Sequence, residues 1–450
     1  MGHTGPDLLQ SHRIRLTMPQ AAIRSASGEY AVNARGSNDR APGQIAAALH
    51  EQKFSHLQWY LHHAENTVHL AAESEHALSE GDLHEIAGWF MKLAPQLRYR
   101  ADEAGEKHLP VPAAPEAVCH YEEVDDLQKA LAWAIENHRA IYADPERPNF
   151  RAYGFRLRKA KKGAPRSLYL CCSSHALMEG SESARIMRMR PTVHHAERAE
   201  AKLGLLQHAM ITVAGLVLAP LHLIASGFDR RDVTHGRWAV IDISRKSIKQ
   251  LAARHGVRQR SVLFSLPLYG LHFEGSLPNR AKEKPQLISY STLPDTKTTL
   301  EDVALNLRMQ VGRIPCAESF EAHLKAIDKV LSKEDTTEIY SQAFYNSILG
   351  VHRVLHRLFP VLYRGRFFTY VPYDFVLSLL PPHITGGWFR KLFRGSIFCG
   401  SYTPGTNSCI FVPYLGGFSL NFYVEPKIQA NMDAFADFLK RQGIDCRRVV

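Results

Sequence analysis

Leu168–Tyr169–Leu170–Cys171–Cys172–Ser173–Ser174–His175–Ala176–Leu177–Met178–Glu179–Gly180–Ser181 runs from an apolar segment straight into a polar knot. The apolar part, Ser167–Cys172, predicts a buried strand, and Ser183–Arg190 predicts a helix that Pro191 closes. His175 therefore stands just past the end of a core strand, where a loop can carry a reactive group on rigid support. Imidazole is the side chain best matched to proton transfer near neutral pH. Glu179 can organise the loop, and Gly180 permits a tight turn. His–Glu spacing of four also occurs on ordinary helix faces, and the chain has 24 histidines. The residues alone leave His175 open to a structural role.

Outward from this stretch, helix and strand patterns alternate. Upstream, Phe150–Arg158 reads as a strand, joined to the next by the basic tip Arg158–Gly163, either solvated or an anion-docking patch. Asp82 and Glu85 have the spacing of a capping box for a helix burying Ile86, Trp89, Phe90 and Leu93, which Pro95 ends. A second helix spans Asp125–His138. Downstream, strand Trp238–Ile243 leads into a helix capped by Ser244 and stopped by Gly256. A helix over Ser319–Leu331 and strands Ser396–Gly400, Cys409–Val412 and Ser419–Val424 follow. A last helix carries Ile428, Met432, Phe435 and Leu439, and Gly443 ends it. The 450 residues exceed what one core usually holds, so the pattern predicts two α/β lobes. The expected boundaries are a flexible leader at 1–50, an N-terminal lobe at 51–225 and a C-terminal lobe at 237–450.

The net charge of +11 favours anionic partners without choosing among them. The 7 cysteines lack CxxC spacing, which suggests unpaired thiols in a reducing, cytoplasmic compartment. Cys171 and Cys172 lie near His175 but point to opposite faces of a strand, so both read as core thiols. The neighbouring pairs His62–His63 and His194–His195 have no third ligand nearby and HExxH is absent, so no metal is expected. Leu206–Ile224 has an apolar centre interrupted by Pro220 and flanked by His208 and His222, shorter than the roughly 20 residues a bilayer needs. It reads as a buried or interfacial helix. With the positive charge, it gives the expectation of a peripheral position on the inner, anionic face of the cell membrane.

The string Ser174–His175–Ala176–Leu177–Met178–Glu179–Gly180 resembles the HHxxxDG signature of the coenzyme A-dependent acyltransferase superfamily. That superfamily includes the bacterial wax ester synthase/diacylglycerol acyltransferases, chloramphenicol acetyltransferase, the plant BAHD enzymes and the condensation domains of peptide synthetases. His175 matches the second His of the signature, Glu179 its Asp and Gly180 its Gly, while Ser174 replaces its first His. Ala176–Leu177–Met178 most resembles the wax ester synthase branch. Phe54–Trp59, Leu93–Arg100, Glu146–Phe150, Ser247–Leu271 and Gly400–Gly405 resemble further elements of that branch in the same order. Gln259, Arg260 and Ser261 stand where the branch has an Asn-Asp pair, a departure that bears on wax ester or triacylglycerol synthesis more than on acyl transfer.

The resemblance implies a two-lobed chloramphenicol acetyltransferase-like fold with the active-site channel between the lobes. It implies an O-acyltransferase of lipid metabolism with His175 as general base and no permanently bound cofactor. The donor would be an acyl-CoA or acyl carrier protein thioester, and the acceptor a hydroxylated lipid or small molecule, less readily an amine. Glu179 and Gly180 would be structural, with Arg308 as the partner of Glu179. Ser174 and Thr403 would contact the oxyanion or acceptor. The competing reading is a non-catalytic binding or assembly protein that kept the scaffold. Net charge alone speaks for nucleic acid, and no helix-turn-helix, zinc-finger or aromatic-platform signature supports it.

Overall fold

Every residue of Ser167–Ser174 is buried, and this strand lies in the middle of a five-stranded sheet. In sheet order the strands are β12 (Ile397–Tyr402), β2 (Thr67–Ser74), β7 (Ser167–Ser174), β6 (Phe150–Leu157) and β5 (Cys119–Val124). All neighbours are antiparallel except β5 and β6. A continuous buried run such as Leu168–Cys172 is what a strand covered on both faces requires.

The computed structural model describes residues 49–137, 140–144, 146–160, 165–178, 204–228, 237–273, 285–292, 308–332, 334–363, 375–380, 397–402, 407–414 and 416–448. Leu49–Val450 clusters as one unit. The expected leader, apart from Leu49 and His50, and the expected helix Ser183–Arg190 lie outside the described residues.

The second large sheet has seven strands: β10 (Arg308–Ile314), β9 (Gln286–Thr292), β11 (Phe375–Leu379), β13 (Ser408–Tyr414), β14 (Gly417–Val424), β8 (Arg237–Ser244) and β15 (Cys446–Arg448). A small sheet joins β1 (Gln52–Lys53), β4 (Lys107–Pro110) and β3 (Tyr99–Ala101). The helices, in chain order, are α1 (His56–His63), α2 (Glu80–Leu93), α3 (Leu127–Glu136), α4 (Ala140–Ala143), α5 (Leu205–Phe228), α6 (Arg245–His255), α7 (Gln259–Phe273), α8 (Phe320–Leu331), α9 (Glu334–Leu358), α10 (Pro426–Gln429) and α11 (Met432–Arg441).

Local chemistry sets many of these boundaries. Ser319 caps α8 by accepting from the Ala322 N–H. Gly256 ends α6 at φ 65, a left-handed conformation that glycine adopts without a Cβ clash. Four readings shift. Ser244 stands at the N-cap of α6, but its side chain makes no capping hydrogen bond there. The capping box of α2 is Ser79 with Asp82, three residues before the expected Asp82 with Glu85, because the Asp82 carboxylate accepts from the Ser79 N–H. The last helix is two, α10 and α11, separated at Ala430–Asn431. Pro220 does not interrupt α5, which continues to Phe228. Pro220 and Leu216 are both exposed, so the Leu216 carbonyl left without its helical donor can turn to water.

The two parts of the chain interlock. β12, from the C-terminal part, pairs with β2, with Gly400 opposite His69. Trp238 and Val240 of β8 and Tyr423 of β14 bury themselves with Leu131, Ile135, Tyr153 and Phe155 from the five-stranded sheet and its helix. The larger core lies around the seven-stranded sheet, where α7, α8 and α11 bring Phe264, Leu324 and Phe435 against Phe375, Phe411 and Phe422. Arg353 and Arg357 of α9 both bind the Glu106 carboxylate, and Arg353 also donates to the Phe54 carbonyl at 2.9 Å.

Candidate active site

The chain leaves β7 at Ser174 and turns at once, and the turn is fixed from several sides. The His175 N–H donates to the Asn66 carbonyl at 2.9 Å, and the Ser174 N–H to the Asn149 carbonyl at 2.9 Å. The Leu177 N–H closes the turn onto the Ser174 carbonyl at 3.0 Å. Gln58 of α1 donates its side-chain amide to the Ala176 carbonyl at 3.2 Å. Ala176, Leu177 and Met178 are buried, and Leu177 packs on Tyr99. Backbone groups in so dry a place must be paired, and these partners do the pairing.

Tyr142, on α4, completes the frame. Its hydroxyl lies 2.7 Å from the Asn66 carbonyl and 3.0 Å from Ser174 Oγ. A carbonyl only accepts, so the phenol proton goes to Asn66 and the Ser174 hydroxyl donates to Tyr142. Ser174 Oγ also accepts from the Ala176 N–H at 3.2 Å. The hydroxyl standing where the acyltransferase signature has its first His is thus engaged in holding the turn. Asn149 ties the neighbouring loop, accepting from the Ala101 N–H and donating to the Ile141 carbonyl, both at 2.7 Å.

His175 is only 8% exposed, and its Nδ1 has no partner at full hydrogen-bond geometry. Burial pushes its pKa down to about 4, opposed weakly by the residue's own backbone. Desolvation penalises the charged ring, so the imidazole is neutral near pH 7. Cys171 and Cys172 are fully buried, and burial drives the Cys172 thiol well above its ordinary range, which removes the thiolate a Cys nucleophile would need.

Arg308 begins β10, opposite Thr292 of β9 in the seven-stranded sheet. Glu179, Gly180 and Thr403 lie outside the described residues. Of the expected site residues, the structure joins Ser174 and His175 through one turn. Sequence reasoning gave no role to Tyr142, Asn149, Asn66 or Gln58. The available signals were faint: Asn149 abuts the apolar start of β6, and Gln58 stands three residues after Ser55, a capping-box spacing.

Around the turn lies a group of imidazoles. His62 packs edge-on to Tyr142, with ring centroids 5.5 Å apart, and His63 meets His356 of α9 at 4.9 Å. Burial, then the neighbouring His63, lowers the His62 pKa to about 3, and burial with His62 lowers His108 to about 3. Among the described residues no three His, Cys, Asp or Glu side chains come together as a metal site.

No protein-family model matches the chain, and no curated protein matches it in sequence. Solved structures do match it in shape. Trichothecene 15-O-acetyltransferase from Fusarium sporotrichioides superposes with a TM-score of 0.60 at 11% identity, over 86% of this chain and 95% of that one. The first condensation domain of the CDA synthetase gives 0.56 at 13% identity, over 87% and 96%. The wax ester synthase/diacylglycerol acyltransferase from Marinobacter aquaeolei VT8 gives 0.52 at 12% identity, over 90% and 97%. The chain has their fold: a two-lobed, chloramphenicol acetyltransferase-like α/β architecture.

Proposed function

We propose that this protein is an acyltransferase in which His175 is the general base. The observation that carries the reading is a neutral imidazole held at the end of a buried strand by its own backbone N–H on Asn66, in a fold that known acyltransferases share. A neutral ring can accept a proton, and a backbone anchor fixes where it does so. The acceptor is a hydroxyl compound, a lipid or small molecule, bound in a channel between the lobes. His175 takes its proton as the oxygen attacks the carbonyl of an acyl-CoA or acyl carrier protein thioester. The C–S bond breaks, and the departing thiolate recovers the proton from the imidazolium. No covalent acyl-enzyme and no resident cofactor take part.

Ser174 is a positioning residue in this scheme, since Tyr142 and the Ala176 N–H occupy its hydroxyl. Donation to the developing oxyanion is assigned to Thr403, and Glu179 with Gly180 shapes the loop, with Arg308 as the partner of Glu179; these assignments rest on the resemblance of their segments. The lobes follow the boundaries 51–225 and 237–450, except that β12 crosses over to join the sheet of the first.

The test is His175→Ala, measured as thioester consumption with a responsive acceptor and set beside a melting curve. Turnover should fall by about 10²–10⁴-fold, the contribution typical of a positioned general base, with the fold intact. Near-normal turnover would sink the assignment and favour a binding or assembly role for the scaffold.

A further inference from the structure

We propose that the outward face of α5, continued by the exposed apolar end of α9, docks this protein onto an anionic lipid surface. A helix on a water-soluble body normally turns its apolar stripe inward. α5 does the reverse. Leu206, Met210, Val213, Val217, Leu221 and Ile224 are each more than half exposed. At about 100° per residue they fall within one arc of the helix, and Gln207, His208 and Thr212 fall outside it. Small residues make the inward contact: Gly215 lies so close to Ser347 of α9 that a Cβ there would clash with its hydroxyl, and Ser347 donates to the Ile211 carbonyl at 3.3 Å. No Asp, Glu, Lys or Arg occurs in the 24 residues of α5.

The apolar surface continues on the helix that α5 packs against. Val354 and Leu358 of α9, with Phe359 and Val361 just beyond it, are between 53% and 70% exposed. Arg353 and Arg357 stand in the same last turns and share the single carboxylate of Glu106, leaving a local excess of positive charge. The Arg357 side chain is 60% exposed, so its stem can lie along apolar surface while its Nε and Nη2 hold Glu106.

These features separate a lipid surface from a second copy of the chain. Protein interfaces carry about one hydrogen bond per 100–200 Å², whereas the six side chains of this arc carry no hydrogen-bonding hydroxyl, amide or charge, and the exposed polar groups of α5, Gln207, His208 and Thr212, lie beside it. A bilayer interface asks for none: it takes an apolar face with cations beside it, and the chain carries a net charge of +11. No described helix is long and apolar enough to cross a membrane, and the contact proposed is one of lying on the surface.

The experiment is density-gradient flotation of the full chain with vesicles of phosphatidylcholine alone or mixed with phosphatidylglycerol, at low and high salt. Wild-type protein should float with the phosphatidylglycerol vesicles, less at high salt. Val213→Asp/Val217→Asp should lower that partition about tenfold or more, and the milder Val213→Ser/Val217→Ser should lower it less. Both variants should melt with the wild type, because both side chains face solvent. Failure of the wild type to float, equal flotation with neutral vesicles, or flotation indifferent to the Asp pair would overturn the proposal. So would a wild-type dimer in solution that the Asp pair converts to monomer without any vesicle binding. None of these readouts depends on acyl transfer.

Discussion

The turn at His175 and the helix α5 invert the usual partition of polarity in opposite ways. At the turn, hydroxyl, amide and imidazole groups are withdrawn from water, with the hydroxyls and amides paired with one another or with backbone. On α5, large apolar side chains are left in water over a 24-residue helix. Each arrangement costs stability. The turn is overdetermined by its neighbours, whereas the outer face of α5 touches almost nothing. Perturbation of the two regions should therefore differ sharply.

Acid should open the largest gap between them. The pKa values of His62, His108 and His175 are lowered chiefly by burial, to about 3, 3 and 4. Each lies below the ordinary 6.5, so between pH 6.5 and about 4 the unfolded chain binds more protons than the folded one. Stability is fully present above pH 6.5 and falls as pH drops through that window, by about 2 kcal/mol per histidine at pH 5. Hydrogen bonds from Arg357 and Arg353 hold the Glu106 carboxyl below its usual range although burial alone would raise it, and its loss runs in the same direction. Urea denaturation between pH 7 and 5 reads this, and a flat profile would break the description of the turn as a dry region.

Asn149→Ala comes next. It strands the Ala101 N–H and the Ile141 carbonyl, which should cost about 3 kcal/mol in a denaturant titration. A loss under about 0.5 kcal/mol would mean that water or another side chain takes over both bonds. Tyr142→Phe is milder, leaving the Asn66 carbonyl with the His175 N–H and releasing the Ser174 hydroxyl. It should cost about 1–2 kcal/mol. The smallest effect belongs to α5, where polar replacements at Val213 and Val217 should leave stability within about 0.5 kcal/mol. Destabilisation of α5 larger than that of Tyr142→Phe would reverse the comparison.

The sequence alone determined what is local. A buried run ending in Ser174 and His175 and the stop at Gly256 follow from period and left-handed glycine, both legible within a few residues. A resemblance carried by short ordered motifs added the two-lobed fold. Tertiary structure alone decided which distant groups meet. Tyr142 reaches the Asn66 carbonyl across 76 residues and Gln58 reaches Ala176 across 118. β12 crosses to the sheet of the N-terminal part. The apolar pattern of Leu206–Ile224 announced a helix, and only the fold left its outer face uncovered. The physical reason is the same in each case: a periodic pattern fixes which face of an element is apolar, but the partner that covers it, or its absence, depends on the packing of the whole chain.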